Sequence, residues 1–414
     1  MQATPTYAGI DWSWQHHALC IIDDAGHRVE EATVPHSRPG LAKITALLRR
    51  QEVQRVGIER GDGPVVEHLI RDGFEVVVIS ARQVKSLRVR YGTAGNKDDR
   101  FDAFVLADAL RTDAGRWAVV RPDTAETVAL RMLVRARQDL IGHRIAVANQ
   151  LLATLQHNFP GAIGLFSQLD IPISLAFLRR FPSEAQAAWL TAGGGHLRMA
   201  HWLKANSYCE ANSYCGRHTP RRLVDHLTKA AQGRTTGAAA EASEMVVTTL
   251  VDVLTALRTK QDELEAHIRE ALLAHPDGPT FQSLPRAGVV RAATLLAEIG
   301  DCRARFPDPQ SLAAAAGVAP STRQSGKHRN VAYRRGCNKQ LRAALIDWAQ
   351  DTPRANAWAQ DTYTRARARG CRHPHAARIL AQGWTRILWR CWHDRTPYNP
   401  DLHGRLNTLQ QEAA

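Results

Sequence analysis

The sequence contains no apolar run long enough to span a bilayer and no signal-peptide pattern at its N-terminus. Its seven cysteines are scattered and odd in number, and no cysteine or histidine group has the paired spacing of a structural zinc site. These absences argue against a membrane protein, a disulfide-stapled secreted domain and a zinc module. They favour a cytosolic protein with reduced thiols.

Positive charge is what the chain has in excess. It carries 54 lysines and arginines against 40 acidic residues, which gives a formal net charge of +14. Residues 321–396 hold 16 of these cations and only four aspartates, so this segment carries most of the excess. Such a balance favours a polyanionic partner. A length of 414 residues, 44% of them apolar, is enough for two or three domains with buried cores.

The N-terminal part alternates between strand and helix patterns. Three short strands joined by tight turns come first, and helices and strands then alternate, which favours an α/β domain with a mixed sheet. This is the element order of the RNase H-like fold. We predict strands at 6–11, 18–22, 28–34, 55–59 and 74–80, and helices at 39–51, 64–72 and 101–113.

The rest of the chain is predicted to be mainly helical. Residues 124–157 and 243–274 carry apolar residues at helical spacing and indicate two long amphipathic helices, possible partners in a coiled coil. Residues 229–242 resemble a linker, and shorter helices are predicted at 289–299 and 309–316. We therefore divide the chain into domains at 1–115, 116–275 and 276–400.

Four carboxylates are candidates for a metal site. Asp11 and Glu59 each end an apolar strand, and these strands are neighbours in an RNase H-like sheet. Asp99 and Asp102 share one face at the start of a helix, although Asp98 and Asp102 would also share a face. Converging carboxylates repel one another unless cations bind, and two Mg²⁺ ions would make a site for phosphodiester cleavage. The alternative is that the aspartates only cap the helix and favour its dipole.

Ser325 is the candidate nucleophile in the basic segment. It precedes a glycine, which lets a DNA backbone approach closely, and Lys327 and Arg329 follow it to stabilise an alkoxide. An ordinary Ser-Gly turn is the alternative, and Ser321 is a competing candidate upstream. Further phosphate-binding candidates in the same segment are Arg334, Arg335, Lys339 and Arg342.

The segment LPRAG at 284–288 leads directly into a predicted helix. It resembles the turn of helix-hairpin-helix DNA-binding modules, in which backbone amides and a helix N-terminus bind phosphate. A plain helix-turn-helix pair in the core explains the pattern equally well.

Five motifs occur in an order that resembles the DEDD-type transposases of the bridge-RNA-guided recombinase family of insertion sequences. The resemblance covers roughly residues 5–115 and 276–350, and the part between them matches only as a helical connector. The motifs are GIDWS at 9–13, GIERG at 57–61, NKDDRFDA at 96–103, LPRAGVVRAATLLAEIGD at 284–301 and GVAPSTRQSGKHR at 317–329.

The resemblance implies a RuvC-like N-terminal domain, a helical connector, and a mostly α C-terminal transposase domain that contains the helix-hairpin-helix-like segment. The four acidic residues of the family fall on Asp11, Glu59, Asp99 and Asp102, and its catalytic serine falls on Ser325. The usual K-T-D-x-x-D-A motif has Asp98 in place of the threonine.

The resemblance also implies partners. Such enzymes act on donor and target DNA in the bacterial cytosol, associated with the nucleoid, and a structured RNA guides them by base pairing. They assemble as homo-oligomers, dimers or tetramers, in which the acidic site of one protomer meets the serine of another.

We therefore predict a DNA recombinase that joins strands through a serine–DNA covalent link, with Mg²⁺ and without a nucleotide cofactor. A RuvC-like junction resolvase or nuclease that uses water is one alternative. A sugar-kinase-like ATPase is a weaker one, because the sequence offers no convincing second phosphate loop. A non-catalytic RNA-binding protein is weaker still.

Overall fold

The structure, a computed structural model, describes residues 5–92, 98–206, 219–233, 236–326, 328–404 and 406–408. The chain forms two compact units, Met1–Pro122 and Asp123–Ala414. The three-domain division drawn from the sequence stays a prediction.

The first unit is built on a five-stranded mixed sheet with the order β3-β2-β1-β4-β5. β1 pairs antiparallel with β2, and β2 with β3, whereas β1, β4 and β5 run parallel. The sheet confirms the α/β prediction and has the strand order expected of an RNase H-like domain. The strands are β1 (Tyr7–Trp12), β2 (His16–Ile22), β3 (Arg28–Pro35), β4 (Arg55–Ile58) and β5 (Glu75–Val78).

Helices cover both faces of this sheet, because successive residues of a strand point to opposite sides. Ala8 and Ile10 of β1 pack with buried residues of α1 and α2. Odd-numbered Gly9 instead faces α4, whose backbone lies directly against it. The helices are α1 (Arg38–Arg50), α2 (Pro64–Arg71), α3 (Ala81–Arg88) and α4 (Asp99–Asp113).

Two long helices, α5 (Ala125–Asn158) and α10 (Ala238–Ala274), organise the second unit and confirm the predicted long helices. They run antiparallel, since Thr127 bonds to His275 at 2.8 Å and Arg137 pairs with Glu265 at 2.7 Å. The linker predicted at 229–242 is shorter, because its alanine-rich end already belongs to α10.

Four short helices in the described parts of 172–229 enclose one end of this helix pair. Their buried apolar side chains, such as Phe177, Phe181 and Leu203, form one core with Leu151 and Val251 of the long helices. The helices are α6 (Pro172–Arg180), α7 (Glu184–Thr191), α8 (Gly195–Ala205) and α9 (Pro220–Lys229).

The C-terminal helices pack around the other end of the pair. Three fully buried tryptophans fill this core, and their indole N–H groups each find an acceptor, as Trp392 does on the carbonyl of Gly300 at 2.9 Å. The elements are α11 (Gly278–Gln282), α12 (Gly288–Ile299), α13 (Pro309–Ala315), β6 (Ser321–Ser325), β7 (His328–Ala332), α14 (Lys339–Asp351), α15 (Ala357–Ala368) and α16 (His373–Asp394).

Within the described ranges, no helix is both long and apolar enough to cross a membrane.

Candidate catalytic and DNA-binding residues

Asp11 and Glu59 lie side by side at one end of the sheet. Ile10 of β1 is in register with Ile58 of β4, so the next residue of each parallel strand reaches the same edge. A Cβ on Gly9 or Gly57, two residues earlier in each strand, would meet the backbone of α4. Because side chains alternate, both carboxylates project on the face that α4 covers. Both side chains are half-buried.

The first turn of α4 lies toward this same edge. A Cβ on Gly9 would lie 2.0 Å from the carbonyl oxygen of Ala103, whereas Arg111, near the end of α4, bonds to Asp24 in the turn beyond β2. The helix is therefore antiparallel to β1, and its acidic first turn points toward the end that carries Asp11. The strand ends that carry Asp11 and Glu59 and the first turn of α4 therefore lie toward the same edge.

The three aspartates at the start of α4 differ in environment. Asp98 caps the helix, since its Oδ1 accepts from the backbone N–H of Arg100 at 3.2 Å. Asp99 is exposed, and Asp102 is buried with 4% of its surface accessible. The capping role considered for Asp99 therefore belongs to Asp98.

Arg88, at the end of α3, donates to the carboxylate of Asp102 and forms an ion pair with it. Elsewhere on α4, Arg111 donates to Asp108 at 2.9 Å, and Tyr91 donates to the same carboxylate. Burial, together with this bond, raises the pKa of Tyr91 above its ordinary value.

A divalent cation fits the donor chemistry of this edge, because carboxylate oxygens are the ligands that Mg²⁺ takes in proteins. The placement also fits, since Asp11, Glu59 and Asp102 belong to elements that meet there. In the described part of the chain, however, no three histidine, cysteine, aspartate or glutamate side chains form a ready-made metal cluster.

Ser325 is the last residue of β6. It pairs with His328 of β7, and Gly326, which follows the serine, has a positive φ of +55°. The serine is exposed at the tip of the hairpin. Ser321 pairs with Ala332 at the other end, about 13 Å away at the usual rise of a strand.

The predicted cations surround this hairpin unevenly. Arg335 and Lys339 are exposed, whereas Arg342 is half-buried and donates to the carbonyl of Arg334, the Cys337 thiol and the Tyr333 hydroxyl. Arg342 is thus committed to holding the chain after β7. Lys327 lies outside the described residues, as does the side chain of Arg329.

The LPRAG segment forms a tight turn between α11 and α12. Arg286 and Gly288 both have positive φ, at 60° and 58°. Asp351 of α14 pairs with Arg286 at 3.1 Å and with Arg291 at 2.8 Å, so a carboxylate already neutralises the cations of this turn. The helix-turn-helix geometry is present, and its role in phosphate binding stays a prediction.

Comparison with known proteins gives two family matches and several full-length relatives. Residues 8–160 match a model described as transposase, and residues 279–364 match the transposase family IS116/IS110/IS902. A Streptomyces coelicolor protein assigned as the mini-circle transposase of IS117 is 30% identical, over 99% of this chain and 98% of that protein.

The chain belongs to the IS116/IS110/IS902 family of transposases. Two further relatives are similar along their length. An uncharacterised 43.6 kDa protein of insertion element IS110 from Streptomyces coelicolor is 28% identical over 95% of both chains. An uncharacterised 42 kDa protein of IS900 from Mycobacterium paratuberculosis is 26% identical over 96% of this chain and 98% of that protein.

The transposase is therefore an enzyme of a mobile insertion element that acts on DNA, which confirms the predicted family and reaction class. This membership decides against the sugar-kinase-like alternative.

The sequence pattern did not predict two features of the transposase. The pairing of Arg88 with Asp102 and the β6–β7 hairpin were both missed. The Val331 and Thr322 side chains, paired across the hairpin, were a β-branched signal that predicts strands, but the charged residues around them obscured it. Arg88 carried no signal, because its partner lies 14 residues away in a separate helix.

Proposed function

We propose that the transposase cuts and rejoins DNA through a covalent bond between Ser325 and a DNA phosphate. The exposed position of Ser325 at the tip of a hairpin carries this proposal, because a nucleophile that attacks a polymer must reach beyond the protein surface. The Ser325 Oγ attacks the phosphorus and the bond to one DNA oxygen breaks. The serine proton passes to solvent, and solvent returns a proton to the leaving oxygen, which departs as a hydroxyl.

The phosphoserine ester conserves the energy of the broken phosphodiester. A hydroxyl from another DNA end attacks the same phosphorus, and Ser325 leaves with a proton. The net reaction exchanges one phosphodiester for another, so it consumes no nucleotide cofactor.

Asp11, Glu59, Asp99 and Asp102 are the residues that we propose hold Mg²⁺. When bound, the metal supplies Lewis-acid stabilisation of negative charge on the phosphate. The protein contributes a carboxylate edge set on two adjacent parallel strands, and Gly9 and Gly57 let α4 close over it. This shared placement supports the proposal.

The cations near the hairpin support a DNA interface that contacts phosphates rather than bases. Arg335 and Lys339 are exposed, and Arg334, Lys327 and Arg329 complete the proposed set, whereas the predicted Arg342 holds the chain after β7. The resemblance to RNA-guided recombinases further supports a structured guide RNA and a homo-oligomer, a dimer or a tetramer, as partners.

A denaturing gel of enzyme with labelled DNA tests the mechanism. The wild-type protein should give a covalent adduct in Mg²⁺, and Ser325→Ala should lose the adduct and strand exchange together while still binding DNA. Ser321→Ala is the matched control, because it removes the same atom from the other end of the same strand. An adduct lost only in Ser321→Ala moves the nucleophile there.

Asp11→Asn and Glu59→Gln test the acidic residues in the same assay. Both should abolish strand exchange without loss of the fold. Cleavage that never yields an adduct under trapping conditions would replace this mechanism with hydrolysis by water.

A further inference from the structure

Several cations near the end of the chain lack acidic partners. Residues 321–396 contain four aspartates, and each of them already forms an ion pair with at least one arginine. The ion pairs are Asp347 with Arg291, Asp351 with Arg286, Arg291 and Arg354, Asp361 with Arg365, and Asp394 with Arg390. Among the described residues, no carboxylate pairs with Arg369, Arg372 or Arg378.

These three arginines surround a pair of surface cavities at the start of α16. One cavity, of about 430 Å³, is lined by all three together with His375. The other, of about 390 Å³, shares Pro374 and Arg378 with it. The cavities are thus adjacent, and Arg378, which pairs with no carboxylate among the described residues, lines both of them.

The turn between α15 and α16 restricts the backbone that carries two of these cations. Gly370 adopts a φ of +82°, and the backbone N–H of Cys371 donates to the carbonyl of Ala366 at 3.2 Å. Arg369 and Arg372 flank this turn and are exposed. A tight turn presents the two guanidinium groups with little freedom of the backbone, which lowers the entropic cost of binding an anion.

Tyr333 joins this surface to the hairpin. The guanidinium carbon of Arg378 lies 4.5 Å from the centre of the Tyr333 ring, and that of Arg342 lies 4.2 Å from it. The ring stabilises two like charges that repel each other. Arg378 also donates to the carbonyl of Pro374 at 3.2 Å, and neither contact supplies the negative charge. The positive charge of Arg378 therefore remains available to an anion.

The distance from Tyr333 to the hairpin tip follows from the length of β7. Tyr333 comes directly after β7, whose first residue, His328, pairs with Ser325. Five residues of strand span about 16 Å. A strand of B-DNA advances about 3.4 Å per nucleotide, so this span corresponds to about four to five nucleotides.

We propose that the two cavities form a phosphate-binding surface that holds the DNA backbone about four to five nucleotides from the phosphodiester that Ser325 attacks. The positive charge and the cavities are the evidence for phosphate binding. The spacing of about four to five nucleotides rests in addition on the proposed role of Ser325. The surface fixes where along the DNA the serine acts.

Salt-dependent binding tests the surface without cleavage. Full-length Ser325→Ala protein is titrated with a labelled random-sequence DNA duplex at several salt concentrations. Adding Arg369→Ala and Arg372→Ala together should make the slope of log affinity against log salt less negative, by about 0.9 for each lost phosphate contact. The matched control adds Arg365→Ala and Arg390→Ala, because carboxylates already pair with these arginines, and should leave the slope nearly unchanged.

The two double variants remove equal charge, so an equal change in both slopes overturns the proposal. An effect seen with a random RNA duplex but not with DNA also overturns it. Arg378→Lys keeps the charge and should retain most of the salt slope. This result would show that the charge, and not a disturbed fold, determines the salt dependence.

Methylphosphonate substitution of single phosphates tests the register. The duplex carries the site at which the wild-type enzyme forms its adduct, and neutral phosphates about four to five nucleotides away should weaken binding of Ser325→Ala protein but not of its Arg369/Arg372 variant. Interference only at other positions overturns the register. A wild-type enzyme that forms no adduct refutes the serine mechanism, while the salt experiment still reports on the surface.

Discussion

Arg88, the last residue of α3, forms an ion pair with the buried carboxylate of Asp102 in the first turn of α4. The Asp102 side chain is 6% exposed and that of Arg88 is 25% exposed. A buried carboxylate needs such a compensating charge, because leaving it alone in a protein interior costs about 3–5 kcal/mol. Arg88 therefore supplies positive charge to a residue that we propose to be a metal ligand.

This pairing predicts a stronger Mg²⁺ dependence for Arg88→Ala than for the wild-type protein. Without the guanidinium, Asp102 depends more on a cation for its stability. The thermal midpoint of Arg88→Ala should be lower in EDTA and should rise more when Mg²⁺ is added. Lys85→Ala, an exposed cation on the same helix, is the control. An equal Mg²⁺ response in all three proteins would remove Asp102 from the metal site.

Gly9→Ala should separate α4 from the sheet. The new Cβ would lie 2.0 Å from the carbonyl oxygen of Ala103 and 2.6 Å from the backbone nitrogen of Ala107, and a helix backbone cannot yield as a side-chain tip can. Overpacking of this kind costs about 1–3 kcal/mol. We expect lower stability in urea unfolding and loss of strand exchange. Gly115→Ala, which meets nothing within 4 Å, should behave as wild type.

The strands and long helices were predictable because their signals are local. The apolar strand around Ile10 and the helical spacing of residues 125–158 each lie within one window of sequence. The edge that gathers Asp11 and Glu59 was also predictable, since it follows from strand order alone.

The contacts that complete the site were not predictable, because they join distant elements. Arg378 of α16 contacts the ring of Tyr333, which follows β7. No spacing in the sequence indicates that one ring lies under two guanidinium groups. The same holds for Arg88. The basic composition indicated a polyanionic partner. Which arginines pair with an aspartate and which do not is visible only in the structure.

A buried histidine, paired with a half-buried one, predicts acid sensitivity of the first unit. His17 is fully buried, and its Nε2 lies 2.9 Å from Nδ1 of His36. Burial, and then the nearby charges of His36 and His16, lower the pKa of His17 to about 4. The unfolded chain, with an ordinary histidine pKa, takes up a proton at higher pH than the folded protein does. Stability should therefore be constant above about pH 6.5 and fall toward pH 4.

Urea unfolding at a series of pH values measures this effect. His17→Ala should be less stable at neutral pH, and its stability should depend less on pH between about 6.5 and 4. His27→Ala, which changes an exposed histidine in the β2–β3 turn, should keep the wild-type profile. Identical profiles for His17→Ala and wild type would assign the acid sensitivity to other groups.

The second unit depends on a carboxylate that joins three helices. Glu298 of α12 is 1% exposed, and its two oxygens accept from Arg135 of α5 at 2.7 and 2.8 Å. Asn338, which caps α14, donates to the same carboxylate at 3.2 Å. Arg135→Ala should thus leave a buried charge with far less compensation, at a cost of about 3–5 kcal/mol in urea unfolding.

The control for this prediction is Arg179→Ala, whose pairing with Asp252 at 2.5 Å is exposed on both sides. Exposed pairs contribute about 0–1 kcal/mol, so this variant should unfold almost as the wild type does. Arg135→Ala combined with Glu298→Gln should recover part of the loss, because the buried group is then neutral. Equal destabilisation by Arg135→Ala and Arg179→Ala would show that the Glu298 junction contributes no more than a surface ion pair.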